Sequence, residues 1–363
     1  MRFLPFVAAV VLTLARSASA APSVQVLFGP VNAPIAAFAQ DGSLLAMFVP
    51  GSGSCNVVRV VALDGVKAAL PKPRTSNVTC RWDMAGPAPQ LAVAAGSAAA
   101  LWTLHEQATT EFDDVVGATV RDPVERRFSE IAHSKAGAGL WLGGVAADGT
   151  TLVYSVAGVD YVDQLGCLEG GSCAQKVGGG GIHRVVGRRN PLVPGTGPAL
   201  QVATAAGRVA YVPAATVGGG GRPLPGRGGP IRILTATTGA LVSSPHVPGI
   251  PVALALSAHV LAVLTHVGVG QRVVWFDPQT GRRLGYVGVS PDAAPELGVS
   301  DQVAVYRVGL TIKQIDLGSG TITKVVKAEA DPIGLSLEGT RLAWAENVNG
   351  HGSVRAVFLR GRG

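Results

Sequence analysis

Aromatic residues make up only 5% of this 363-residue chain and charged residues only 15%, so neither a nucleic-acid surface interleaving bases with aromatics nor a highly charged disordered polymer is indicated. No stretch holds a 3.6-residue apolar period for long, which removes helical bundles and alternating α/β folds. Catalytic signatures are missing as well: there is no Gly-x-Ser-x-Gly elbow, no His-Glu-x-x-His, no Gly-Lys-Ser/Thr phosphate loop and no EF-hand spacing. The glycine runs at 178–181 and 218–221 do not stand between a strand and a helix, as a dinucleotide site requires, and are read as flexible linkers. The seven histidines are scattered without close ligand pairs, and the Cys-x5-Cys of Cys167 and Cys173 has no nearby paired His to complete a zinc site. No metal and no cofactor is therefore expected.

What is abundant is turn material, with 49 Gly and 24 Pro, set between short apolar runs. One run recurs seven times: Leu44-Leu45-Ala46-Met47-Phe48, Ala99-Ala100-Leu101-Trp102, Leu152-Val153-Tyr154-Ser155, Val209-Ala210-Tyr211-Val212, Val260-Leu261-Ala262-Val263, Val303-Ala304-Val305-Tyr306 and Leu342-Ala343-Trp344-Ala345. A strand of small apolar residues precedes each, as at Ile35-Ala36-Ala37-Phe38, Leu91-Ala92-Val93-Ala94, Leu200-Gln201-Val202-Ala203 and Ile333-Gly334-Leu335-Ser336. Hairpins follow, clearest at residues 273–282, 314–321 and 233–240, where Gly supplies the positive φ of a tight turn.

Four short strands per unit, repeating every roughly 40 to 55 residues, is the period of a β-propeller. The expected fold is all-β: a single propeller spanning residues 21–363, of seven blades with four antiparallel strands each. The final unit supplies three strands, ending at Val354–Leu359, while Val24–Phe28 stands alone near the start. Donating that N-terminal strand to the last blade would remove an exposed edge and close the ring.

Several units carry Asp-Gly before the apolar strand: Asp41-Gly42-Ser43-Leu44, Asp148-Gly149-Thr150-Thr151 and, close to it, Glu338-Gly339-Thr340-Arg341. In this the chain resembles the bacterial secreted WD-repeat-like and TolB-like propellers. The resemblance implies architecture and no particular partner, since no counterpart of the additional N-terminal domain of TolB is expected here. Quinone-dependent propeller dehydrogenases repeat a Trp docking motif in each blade; Trp82, Trp102, Trp141, Trp275 and Trp344 are not so spaced.

Met1-Arg2, the apolar stretch from Phe3 to Leu14 and Ala18-Ser19-Ala20 form a secretory signal peptide over residues 1–20, with cleavage expected before Ala21. Its removal lowers the formal charge from +7 to about +5, compatible with anionic cell-envelope polymers. The expected location is outside the cell, in the periplasm or in the envelope. Residues 247–265 are almost continuously apolar, but Pro248, Gly249, Pro251 and His259 interrupt them, and they fall in register as two strands of the fifth unit. No transmembrane segment is expected in the mature chain.

Four cysteines in an exported chain indicate two disulfides, with three pairings open. Strand order places Cys55 and Cys80 at one end of neighbouring strands of the first blade, and Cys167 and Cys173 within one insertion, Gly158 to Gly181; these are the expected pairs. That insertion bears Asp160, Tyr161, Asp163 and Glu169. A second, Pro213 to Pro230, bears Arg222 and Arg227 at the equivalent place in the next blade. Both should project from one face, one acidic and one basic, as a candidate surface for a protein, peptide or glycan of the envelope, with no nucleic acid involved. A monomer is expected. The competing reading is a lyase- or lactonase-like enzyme with channel-lining His, Asp or Glu, but the inner strands are mostly Ala, Val, Leu and Gly.

Overall fold

Each of the seven recurrent apolar runs is the second strand of a sheet that is buried on both faces, which is why it is continuously apolar rather than alternating. The computed structural model describes residues 23–50, 56–63, 90–107, 111–119, 126–133, 139–161, 175–218 and 222–359. Among them the first strand, β1 (Gln25–Val31), belongs with the end of the chain, and the rest follow in order.

The first sheet holds β2 (Ala37–Asp41), β3 (Leu44–Pro50) and β4 (Asn56–Ala62). The second holds β5 (Leu91–Ala94), β6 (Ala99–Gln107), β7 (Glu111–Thr119) and β8 (Arg126–His133), and the third β9 (Gly139–Asp148), β10 (Thr151–Tyr161) and β11 (Gln175–Arg184). The fourth is β12 (Ala199–Ala205), β13 (Arg208–Val217), β14 (Pro223–Pro225), β15 (Arg232–Thr235) and β16 (Leu241–Ser243). β17 (Ile250–Leu256), β18 (Leu261–Val267), β19 (Gly270–Phe276) and β20 (Arg283–Val289) make the fifth. β21 (Gly298–Val299), β22 (Val303–Val308), β23 (Thr311–Asp316) and β24 (Ile322–Lys327) make the sixth. The last contains β25 (Ile333–Glu338), β26 (Arg341–Val348) and β27 (His351–Phe358), with β1 antiparallel to β27.

The first strands touch in sequence, β2 to β5, β9, β12, β17, β21 and β25, and β25 lies against β2. The core is divided accordingly, with each apolar cluster joining two neighbouring sheets. Leu44, Ala46 and Phe48 face Val93, Ala100 and Trp102 of the second sheet, whereas Leu45, Met47 and Val49 on the opposite side of β3 pack on Ala343, Ala345, Val354 and Ala356 of the last. Trp102, Trp344, Tyr154 and Tyr211 are almost fully buried in these seams; burial of side chains of this size contributes roughly 1.5–3 kcal/mol each. The chain is thus a ring of radially arranged sheets, a β-propeller.

Three expectations change in detail. The third sheet has three strands rather than four, because the chain after β11 returns only through isolated bridges, His183 to Leu192 and Val186 to Arg189. The fourth has five, since β14 adds to β13. Gly178–Gly181 is no linker: it is strand, with Gly180 opposite Ala157 and Gly181 opposite Val156, because bare backbone tolerates the close approach and bulge there. Residues 250–267, including most of the long apolar run, form β17 and β18 as expected, and among the described residues no helix is long and apolar enough to cross a membrane.

Candidate functional site

The turns between first and second strands lie together on one face of the ring, and the hairpins between second and third strands lie on the other. Asp41, Asp148 and Glu338 each end a first strand, and Gly42, Gly149 and Gly339 follow with φ of 52°, 55° and 58°, the left-handed geometry a two-residue turn needs. Asp41 Oδ2 accepts hydrogen bonds from the Ala95 N–H at 2.7 Å and the Gly149 N–H at 2.9 Å, tying the first sheet to the second and third. Asp148 Oδ2 accepts from Ala206 N–H at 2.8 Å on the fourth.

At other joints other side chains make the link. Arg208 donates from the fourth sheet to the Ala258 carbonyl of the fifth. Asp301 of the sixth accepts from Ser257 Oγ (2.8 Å), His259 N–H (3.1 Å) and His259 Nδ1 (2.7 Å) of the fifth. Arg341 of the last sheet donates to Gln40 Oε1 (2.8 Å) and the Gly42 carbonyl (2.5 Å) of the first. Sixth and seventh sheets meet by close packing, Gly298 lying under Leu337.

Two of the three acids on this face are shifted, by burial and by their acidic neighbours. Burial raises Asp148 above the usual carboxylate range, the Ala206 N–H partly offsets this, and the charge of Asp41 adds to the rise. Glu338 is raised by burial and then by Asp41, with Arg341 opposing and Asp148 adding. Asp301 differs: burial alone would raise it, but the hydrogen bonds from His259 and Ser257 outweigh that and hold it below the usual range. Among the described residues no three His, Cys, Asp or Glu converge as metal ligands. Sequence reasoning took Asp-Gly as a family mark and missed its role; the carboxylate immediately before a left-handed Gly was the available signal.

The opposite face carries the two expected insertions, and they are ribbons rather than loops. β10 and β11 stay paired out to Tyr161 opposite Gln175. β13 runs on past the pairing with β15 and takes β14, with Val217 opposite Pro223, closed by Gly218 N–H to the Arg222 carbonyl at 2.8 Å. β14 lies against β10, so the ribbons of adjacent sheets stand side by side. Asp160 is exposed, its carboxylate over the Cα of Gly178 in the space a side chain there would fill. Arg222 and Arg227 are exposed too, and Leu224 shows 41% of its surface between them. None of the three charged groups has an ion-pair partner among the described residues, and they form no pair with one another. Tyr161 ends β10. Asp163, Glu169 and all four cysteines, Cys55, Cys80, Cys167 and Cys173, lie outside the described residues.

No protein-family model matches the chain, and no curated protein sequence does. Solved structures do. The β-propeller domain of the trilobed protease from Pyrococcus furiosus, described as having an open velcro topology, superposes with a TM-score of 0.53 at 9% identity, over 90% of this chain and 93% of that one. The Pyrococcus horikoshii acylaminoacyl peptidase gives 0.51 at 9% identity, over 88% of this chain and 50% of the peptidase. An acylaminoacyl peptidase bound to Z-Gly-Gly-Phe-chloromethyl ketone gives 0.52 at 8% identity, over 90% of this chain and 51% of that one. The chain spans about half the length of these two peptidases. Identities this low speak to fold alone, and the fold in common is the propeller, in agreement with the WD-repeat-like and TolB-like architecture.

Proposed function

We propose that this β-propeller is an exported, non-catalytic binding protein that engages a protein, peptide or glycan of the cell envelope through the ribbon face. The observation that carries the reading is the side-by-side placement of the β10–β11 and β13–β14 ribbons, with Asp160, Arg222 and Arg227 exposed and without an ion-pair partner among the described residues. Free charges of both signs beside an exposed Leu224 give a partner polar anchors around an apolar contact. The opposite face has its carboxylates committed to backbone N–H groups, which leaves them poorly placed to move protons in a reaction.

The proposal includes a sealed ring of seven blades. Its support is the seven sheets found among the described residues, the contact of β25 with β2, and the β1–β27 pairing. A rigid closed ring is the scaffold that holds two ribbons in fixed relation. Removal of residues 1–20 on export and bridges Cys55–Cys80 and Cys167–Cys173 belong to the same reading.

The competing reading, a channel-centred lyase or lactonase, draws on the raised Asp148 and Glu338, since perturbed acids mark some active sites. A displayed peptide library and a glycan array probed with the chain from Ala21 separate the two. Ligands selected on the native protein should be lost with Asp160→Ala, Arg222→Ala and Arg227→Ala combined and kept with Glu338→Gln. Ligands kept by the first variant and lost by the second would overturn the ribbon reading in favour of the channel.

A further inference from the structure

On the rim of the fifth sheet, next in the ring to the sheet that carries β13 and β14, stands the outer strand β20. One of its edges pairs with β19 and the other pairs with no strand among the described residues. Sheets usually protect such an edge by shortness, register breaks or lysine. β16 has three residues, β1 breaks register twice along β27, and β24 presents Lys324 and Lys327. β20 is seven residues long, Arg-Leu-Gly-Tyr-Val-Gly-Val, with no lysine or proline, and its pairing with β19 shifts register once, between Trp275 and Phe276.

Its side chains are arranged in a definite way. Arg272, Val274 and Phe276 alternate along one face of β19, and their partners on β20 are Gly288, Tyr286 and Arg283. Tyr286 is 56% exposed, and the Arg272 and Arg283 guanidinium groups lie over its ring at 5.7 and 5.5 Å from the centroid. Neither arginine has a carboxylate partner among the described residues. Leu284 is exposed as well, and a side chain built at Gly288 would meet nothing within 4 Å, so bare backbone stands open beside the tyrosine. From behind, the Trp275 indole packs directly on Gly285, where a Cβ would come within 2.3 Å of the ring, and so holds the strand in place.

We propose that β20 receives an extended acidic segment of a partner protein as an added strand, its backbone pairing along the free edge and its alternate Asp or Glu side chains bridging Arg272 and Arg283 across Tyr286. An open strand edge supplies main-chain hydrogen bonds without sequence preference, and two unpaired guanidinium forks fixed on one face select carboxylates at the two-residue period of a strand. This site is separate from the ribbon face and does not depend on it.

The probe is a fluorescein-labelled peptide of alternating Glu and Val matching the seven residues of β20, followed by fluorescence anisotropy. It should bind about tenfold more tightly than its Gln/Val counterpart, a difference of about 1.4 kcal/mol, and weaken with salt. Arg272→Glu with Arg283→Glu should remove that preference, and N-methylation of the peptide on one edge alone should abolish binding. The combined Asp160, Arg222 and Arg227 alanine variant should bind the peptide unchanged, so failure here and failure of the ribbon reading are distinct. Equal binding of Glu and Gln peptides, or indifference to N-methylation on either edge, would overturn the proposal. So would a dimer of the native protein, seen by light scattering, that the Arg272/Arg283 variant splits, because the edge would then be occupied by a second copy.

Discussion

Asp41→Ala tests the physical reading of the turn face most directly. The carboxylate is 7% exposed and one of its oxygens accepts two backbone N–H groups, from Ala95 and Gly149, on two different sheets. Hydrogen bonds to a charged group contribute about 1.5–3 kcal/mol each, and an N–H left buried without an acceptor costs about 1–3 kcal/mol. Two such losses set a gross cost of about 4 kcal/mol, and relief of the repulsion that Asp41 exerts on Asp148 and Glu338 returns part of it. The expected net loss is about 3 kcal/mol. Asp41→Asn keeps one acceptor oxygen and should lose about 1 kcal/mol. Asp148→Ala removes an acceptor from a single N–H, that of Ala206, and also removes a carboxylate that burial already disfavours, so it should cost less than either. Urea unfolding of the three variants reads this as an order of midpoints at unchanged slope. If Asp41→Ala is no worse than Asp41→Asn, or if Asp148→Ala is the most damaging, the staple argument fails.

Two further outcomes follow from the same contacts. Glu338 and Asp148 are raised in the folded protein, so between their ordinary values and their raised ones the native state holds more protons than the unfolded chain, and stability falls as pH rises through that window. Melting temperature followed as pH is lowered toward the ordinary carboxylate range should therefore climb less in Glu338→Gln than in the native protein, and an identical slope would refute the assignment. Deleting residues 23–31 strips β1 from β27 and exposes its edge, and urea midpoint and light scattering should show a less stable, self-associating protein; an unchanged monomer would remove the role given to β1 in sealing the ring.

The second strands were legible in the sequence because they are the most constrained positions. A strand packed on both faces, as Leu44–Pro50 is between the second and last sheets, must be apolar at every step, and that run survives in a single sequence without any alignment. Outer strands have no such demand, which is why the third sheet's missing fourth strand and the added β14 were not visible. The ribbons were hidden for a different reason: Gly178–Gly181 and the proline-flanked 213–230 have the composition of loops, and only pairing with β10 and β13 makes them strands. Strand order alone fixes the face of each hairpin, which is what groups Asp160, Arg222 and Arg227 as one proposed surface.

The incomplete Asp-Gly repeat is best understood through what each sheet must do for its neighbour. The turns at the ends of first strands leave backbone groups facing the next sheet, and most of them find a side-chain partner there. Asp41 and Asp148 answer that need as acceptors for N–H groups. Arg208 and Arg341 answer it in the opposite sense, as donors to the carbonyls of Ala258 and Gly42. Asp301 does it from the far side of the joint, reaching back to His259 and Ser257. The physical requirement is a satisfied seam, not an aspartate, so the motif is free to drift wherever a side chain of either sign can bridge the same gap. That freedom ends where one carboxylate serves two seams at once, and Asp41 is the acid in that position; its side chain should tolerate substitution least of the three even though all three sit in the same sequence pattern.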